Sequence, residues 1–275
     1  MNRRDFARFA ALMMAGGLAN RGMASSSDAK TSVRPDIPVH DMSHFDPRYK
    51  GDEKVIMLGY QGMTALDLVG PQYMFASLWG ADVKVVAKTM DPIKTDTALV
   101  IMPDQTFEEA ASDPDILFVP GAVSGVLDTM EDDETLDFLS DRGSRAQWIS
   151  AVCTGSLILG QAGLLDGYRA TSHWLGLDLL TEFGATPVSE RVVTDRNRIT
   201  GGGVTAGIDM GLSMLAKLRD VPYAQMVQLL AEYAPEPPFD AGLPDTAPAP
   251  VTQMMTDMFP GFDDHVLALA NHRRR

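Results

Sequence analysis

The stretch Ser150-Ala151-Val152-Cys153-Thr154-Gly155-Ser156-Leu157-Ile158-Leu159-Gly160 decides how the chain is read. Trp148, Ile149, Ala151 and Val152 form a short apolar run of the kind that fills a parallel strand covered on both faces. Leu157, Ile158 and Ala162 then recur at helical spacing, and Gly155 and Ser156 suit a tight helix start. Cys153, the only cysteine, stands at the corner between them. A side chain on a strand-to-helix elbow is pushed out at the carboxyl end of the sheet, toward the unpaired N–H groups and positive dipole end of the next helix. Both effects favour thiolate over thiol, so the nucleophilic form is expected to be accessible near neutral pH. A single cysteine also reads as a small buried hydrophobe, and the turn residues around this one tip the reading toward a functional thiol.

Upstream of the elbow the pattern alternates strand and helix. Val55-Ile56-Met57-Leu58 is a buried strand, and Gly59-Tyr60-Gln61-Gly62 turns the chain toward a helix running to about Trp79. Val83 to Ala87 is the next strand, followed by a short polar hairpin region around Thr97 to Thr106 and an apolar strand from Ile116 to Val119. Asp132 to about Arg145 reads as a charged surface helix whose acidic start is solvated. Downstream, Tyr168 to Trp174 is a strand or turn and Leu175 to Phe183 a helix. Arg191-Val192-Val193 and Arg198-Ile199-Thr200 make a hairpin, and helices cover about Ala206 to Leu218 and Pro222 to Tyr233. The Pro-rich run from Ala234 to Phe239 cannot continue a helix. Strands separated by helical segments imply parallel pairing with right-handed crossovers. The expected fold is therefore α/β: a flavodoxin-like, mostly parallel sheet with helices on both faces and a nucleophile elbow, whose ligands bind beyond the carboxyl ends of the strands.

That domain spans about residues 51–250, with a helical tail at 251–275. The first residues are a different object. Asn2-Arg3-Arg4-Asp5-Phe6-Ala7-Arg8 and the apolar run from Phe9 to Ala19 resemble a twin-arginine export signal, with Gly22-Met23-Ala24 as a cleavage site. Residues 1–24 are read as a removed signal and 25–50 as an extended arm rich in Ser, Asp and Pro. This places the protein in the periplasm, exported folded and with no stable membrane anchor after signal removal. His40 and His44, near Asp41 and Asp46, fit no compact set of metal ligands, and a solvated arm is the preferred reading.

The 275 residues, 45% of them hydrophobic, suffice for one large core. A formal net charge of -14 without a basic stripe argues against nucleic acid as a partner. Removing residues 1–24, with Arg3, Arg4, Arg8 and Arg21 against Asp5, makes the remainder more acidic still. Gly201-Gly202-Gly203 lacks the lysine and spacing of a phosphate-binding loop and serves equally for close packing.

The elbow Ala151-Val152-Cys153-Thr154-Gly155-Ser156-Leu157 resembles that of the ThiJ/PfpI-type, class I glutamine amidotransferase-like superfamily. Four further stretches narrow the resemblance to the isonitrile hydratases of that superfamily: Leu66 to Pro71, Ala162 to Thr171, Gly201 to Asp209, and Pro237-Pro238-Phe239-Asp240-Ala241-Gly242. Together they cover about Lys54 to Pro250. The resemblance implies addition of water to a small-molecule isonitrile, R–NC, giving an N-substituted formamide with no metal or organic cofactor, in a homodimer. It carries the nucleophile over to Cys153, the adjacent threonine to Thr154 and the aspartate of the Leu-Asp-Leu turn to Asp67. A thiolate beside a carboxylic acid suits this chemistry, because the isonitrile carbon must receive both a nucleophile and a proton. Asp67 then needs a proton that persists near neutral pH, which burial or the neighbouring thiolate would provide; from the sequence, a helix N-cap is an equal reading.

Relatives commonly have Gly-Gly where this chain has Gly121-Ala122. The backbone N–H groups of Ala122 and Thr154 are expected to hold negative charge in the intermediate. His173 reads either as a pocket histidine that orients the thiol or as a hydrogen-bonded structural one. Two rival readings share the fold. One is a peptidase or glyoxalase-like enzyme, although PfpI-type peptidases place histidine where Thr154 stands; the other is a noncatalytic thiol or ligand sensor.

Overall fold

Ile56 and Leu58 belong to one buried cluster and Val55 and Met57 to another, because successive side chains of a strand point to opposite faces of its sheet. Such a strand is covered on both sides, and the computed structural model of the protein, which describes residues 44–273, shows what covers it. The expected signal at 1–24 and residues 25–43 of the expected arm, with His40 and Asp41, lie outside the described residues.

In chain order the strands are β1 (Lys54–Leu58), β2 (Asp82–Ala87), β3 (Ile93–Lys94), β4 (Val100–Ile101), β5 (Gln105–Thr106), β6 (Ile116–Val119), β7 (Trp148–Val152), β8 (Arg169–Ala170), β9 (Thr186–Pro187), β10 (Val192–Asp195) and β11 (Arg198–Gly201). The α-helices are α1 (Ala65–Ala76), α2 (Ser124–Glu131), α3 (Asp133–Gly143), α4 (Gly155–Gln161), α5 (Ala206–Leu218), α6 (Val221–Leu230), α7 (Ala249–Asp257) and α8 (Phe262–Arg273). Seven strands form one sheet in the order β10-β11-β7-β6-β1-β2-β5, parallel throughout except where β10 returns against β11. The mostly parallel α/β fold expected from the strand and helix pattern is the one observed.

One face carries Ile56, Leu117, Val119, Ile149 and Ala151 against Val126 and Met130 of α2, Leu136 and Leu139 of α3, Leu157 and Ile158 of α4, and Phe262 and Val266 of α8. The other carries Val55, Met57, Ile116, Phe118 and Val152 against Leu68, Met74 and Phe75 of α1, Met210 and Met214 of α5, and Tyr223 and Val227 of α6. Each fully buried large side chain contributes about 1.5–3 kcal/mol, so these two layers hold β1, β6 and β7 in fixed register. The tips of those three strands carry the site.

Some local expectations need correction. The charged helix expected over Asp132 to Arg145 is α3, over Asp133–Gly143, and a helix that the sequence reading missed, α2, precedes it and meets it at Asp132. Asp132 leaves helical geometry there and accepts from the Thr135 hydroxyl at 2.5 Å. The helix expected over Leu175 to Phe183 is a 3-10 turn over Asp178–Phe183 only, closed by Gly184 in the left-handed region. In the polar region after β2, β3 and β4 form the hairpin, and β5 leaves it to join the main sheet beside β2. Asp46 caps a short 3-10 turn by accepting from the Arg48 N–H at 3.0 Å. Among the described residues no helix is long and apolar enough to cross a membrane.

Candidate active site

The elbow forms because β7 ends in a residue that cannot continue either neighbouring element. Cys153 has φ 59, a left-handed conformation that costs a non-glycine residue free energy and is held by its surroundings. Its N–H is shared between the carbonyls of Gly201 at 3.1 Å and Gly202 at 2.7 Å, and the Ser172 hydroxyl donates to its carbonyl at 2.9 Å. Two residues of the triple glycine, Gly201 and Gly202, therefore clamp the elbow, with their carbonyls turned to the cysteine N–H. Next to Cys153, Gly155 lets α4 start against β6; a Cβ there would lie 2.4 Å from the Val119 carbonyl oxygen.

Asp67 comes from the first turn of α1 and is fully buried. Its Oδ2 accepts from the Gly121 N–H at 2.9 Å, while Oδ1 has no hydrogen-bond partner. Burial pushes the carboxyl up to about 7, aided by the charge of Asp96 and opposed by its bonds to the Gly121 N–H and to Cys153. Asp67 is not the helix cap: Thr64 holds the N-cap position without bonding as a cap. The orphan N–H of Ala65 is met at 3.3 Å by Asp96, which also accepts from the Thr64 hydroxyl at 2.8 Å.

Gly121 is the point of closest approach. A Cβ on it would stand 2.7 Å from the Thr154 nitrogen, 2.8 Å from Asp67 Oδ2 and 2.8 Å from Cys153 Cβ. The nucleophile candidate and the carboxyl thus converge on a position that only hydrogen can occupy.

Two electrostatic expectations are overturned. The thiolate expected at Cys153 is not favoured: burial pushes the thiol well above its ordinary range, the Asp67 carboxyl adds to this, and the Thr154 N–H only partly offsets it. Cys153 is 6% exposed, and the dipole of a helix as short as α4 does not replace the water it has lost. The Ala122 N–H, expected to face the substrate, is instead taken by Thr154 Oγ1 at 2.9 Å, and the Thr154 hydroxyl donates to the Ala122 carbonyl at 2.5 Å. The Gly121 N–H is occupied by Asp67, which leaves the Thr154 N–H beside the sulfur.

The structure therefore brings Cys153, Asp67, Thr154, Gly121 and Ala122 together. His173 stands apart from that hydrogen-bond set: its Nδ1 accepts from the Leu175 N–H at 3.3 Å, and its ring lies 5.5 Å from that of Trp174. Burial lowers its affinity for a proton. Sequence reasoning missed Asp96, Ser172 and Tyr60, whose hydroxyl donates to the Pro120 carbonyl at 2.8 Å. Nothing local flags them, since they reach the site from other segments. Among the described residues, no group of three or more His, Cys, Asp and Glu side chains is arranged to hold a metal ion. Chemically, the arrangement offers a neutral thiol and a carboxylic acid on either side of Gly121, with water largely excluded: a pair able to add S–H across an electrophilic carbon.

Residues 53–217 match the DJ-1/PfpI family. The isonitrile hydratase of Pseudomonas putida is 50% identical over 186 residues, which cover 68% of this chain and 81% of that protein. The crystal structure of a ThiJ/PfpI family protein from Pseudomonas syringae is similar at a TM-score of 0.80 and 51% identity, over 87% of this chain and 99% of that one. DJ-1beta of Drosophila melanogaster shares the fold at a TM-score of 0.61 and 21% identity, over 67% of this chain and 100% of that one.

Proposed function

The chain belongs to the DJ-1/PfpI family, and from that membership we propose that its Cys153 and Asp67 add water to isonitriles, R–NC, to give N-substituted formamides. One observation carries the reading: a fully buried carboxyl, pushed up to about 7 by burial, converges with Cys153 on the single position at Gly121. Half of the residues aligned with a named isonitrile hydratase being identical supports the same substrate class.

Asp67, as the acid, gives its proton to the isonitrile carbon while the Cys153 sulfur bonds to that carbon, and the carboxylate so formed takes the proton the thiol releases. The product is a Cys-bound thioimidate, R–N=CH–S–Cys, with Asp67 protonated again. Asp67 next protonates the thioimidate nitrogen, and its carboxylate accepts a proton from the water that attacks the carbon. On collapse the C–S bond breaks, the hydroxyl proton passes through the carboxyl to the sulfur, and R–NH–CHO leaves. A neutral resting thiol suits this exchange, because S–H is given up only as a carboxylate appears beside it. Thr154 fixes the Gly121-Ala122 turn against the elbow and keeps the two reacting groups at one spacing.

Cyclohexyl isocyanide tests the reading. Wild type is expected to form N-cyclohexylformamide, with turnover falling as pH rises through about 7, whereas Cys153→Ala and Asp67→Asn remain folded and lose nearly all of it. Robust turnover by Cys153→Ala, or none by wild type on any isonitrile, overturns it.

The same reading includes a homodimer and a periplasmic location. Leu66, Val69 and Tyr73 leave an exposed apolar stripe on α1, which supports pairing of two copies and is checked by light scattering. Export rests on the paired arginines and apolar run of residues 1–24, and is checked by fractionating cells with and without an intact Arg3-Arg4 pair.

A further inference from the structure

One peptide unit beside the candidate site is held at both ends. The Tyr60 hydroxyl donates to the carbonyl of Pro120 at 2.8 Å, and the N–H at the other end of that Pro120–Gly121 peptide donates to Asp67 Oδ2 at 2.9 Å. In a trans peptide the C=O and N–H lie in one plane and point opposite ways, so rotation of this plane breaks both bonds together. Tyr60 and Asp67 thus grip the same rigid plate from its two edges. The tyrosine ring is not enclosed on every side: it packs on both cores but also borders a cavity of about 380 Å³, shared with Gly59, Gln61, Ile93 and Thr129. Its hydroxyl bond adds to that packing in fixing where it sits.

We propose that Tyr60 is a positioning residue for the Asp67 carboxyl, acting through the Pro120–Gly121 peptide. Its proton is committed to Pro120, so it acts through Asp67 and not on the substrate. Donation into a carbonyl polarises the peptide and strengthens the opposite N–H as a donor. That N–H favours the ionised carboxyl and aims Oδ2, which leaves Oδ1 as the free oxygen. Burial, with the charges of Asp67, Cys153 and Asp96, pushes the phenol well above its ordinary range and keeps it a neutral donor throughout. Cys153 and Asp96 act on Asp67 as well as on the phenol, and both are retained in Tyr60→Phe.

This deepens the isonitrile reading and rests on it for its kinetic readout only. In Tyr60→Phe the alkaline fall of kcat is expected to move up by about half a pH unit or more, with the plateau about tenfold lower and KM within about twofold. A second readout needs no turnover. The infrared carbonyl band of protonated Asp67, identified by its loss in Asp67→Asn, is expected to titrate at a higher midpoint in Tyr60→Phe. With 3-fluorotyrosine at position 60, a stronger donor, the midpoint is expected to fall. Midpoints equal to wild type in both replacements overturn the proposal. If wild type hydrates no isonitrile and the midpoints still move, the substrate reading fails and the positioning role stands.

Discussion

Thr154 and Ala122 are bonded to each other in both directions: the Ala122 N–H donates to Thr154 Oγ1 at 2.9 Å, and the Thr154 hydroxyl donates to the Ala122 carbonyl at 2.5 Å. Both residues are buried, so neither backbone group has water to fall back on. Thr154→Val keeps the shape and removes both bonds, leaving a donor and an acceptor unmet at about 1–3 kcal/mol each. We expect chemical denaturation to show a loss of about 2–4 kcal/mol, with turnover of isonitriles at least tenfold lower. Thr154→Ser keeps the hydroxyl and is expected to stay within about 1 kcal/mol of wild type. Equal stability of the Val and Ser variants refutes the two-way bond.

The tight approach at Gly121 makes a different prediction, one about space. A methyl group there meets the Thr154 nitrogen, Asp67 Oδ2 and Cys153 Cβ, all within 2.8 Å. Two of the three obstacles cannot swing aside, because one is backbone and one is a Cβ. Gly121→Ala is expected to lose about 1–3 kcal/mol by overpacking and to cut kcat by about a hundredfold, since separating the sulfur from the carboxyl by even ~1 Å is enough. Ala122 already carries its methyl group, so Ala122→Gly is the control and is expected to retain activity within severalfold. The comparison needs only denaturation curves and steady-state rates for the two variants.

Asp67 also imposes a pH dependence on stability. Its carboxyl is raised from 3.8 to about 7 in the folded protein, so between those values the native state holds a proton that the unfolded chain has released. Stability from this group is complete below about pH 4, declines as pH rises toward 7, and is lost above it. Asp67→Asn removes the cost of a buried carboxylate and keeps an oxygen for the Gly121 N–H. The variant is expected to match wild type near pH 4 and to exceed it at pH 8, by up to roughly 4 kcal/mol. Denaturant titrations at the two pH values measure the gap, and a gap that does not widen with pH contradicts the buried-acid assignment.

The fold was legible because its strands announce themselves: Val55 to Leu58 and Ile116 to Val119 are unbroken apolar runs, Trp148 to Val152 is interrupted only by Ser150, and a sheet covered on both faces buries nearly all of each. Helix α5, read at Ala206 to Leu218, carries its buried Met210, Met214 and Leu215 at helical spacing. Helix α2 was hidden because its apolar positions are sparse and its boundary with α3 is a change of direction at Asp132 rather than a breaker residue. In the site, the elbow was readable from Cys153 and its glycine, but hydrogen-bond direction was not. Whether the Ala122 N–H meets a substrate or Thr154 depends on the rotation of one peptide plane, which no local pattern encodes. Tyr60 and Asp96 each reach the site from another loop, so their sequence neighbours carry no trace of it.

Reactivity of the thiol separates nucleophile supply from proton supply. Burial is the main cause that keeps Cys153 protonated, and the Asp67 charge is the next. Removing that charge while keeping the shape, as in Asp67→Asn, lets the thiol ionise at lower pH, although burial still holds it above an ordinary cysteine. Iodoacetamide is therefore expected to alkylate Cys153 slowly in wild type at pH 8 and about tenfold faster in Asp67→Asn, because the thiolate is the reacting form. Hydration of isonitriles is expected to move the opposite way, toward zero, because the carbon then has no proton donor. A chain in which both rates rise has its acid elsewhere. One in which both fall has a cysteine that depends on the Asp67 carboxylate as its base, and alkylation by mass spectrometry beside formamide formation tells these outcomes apart.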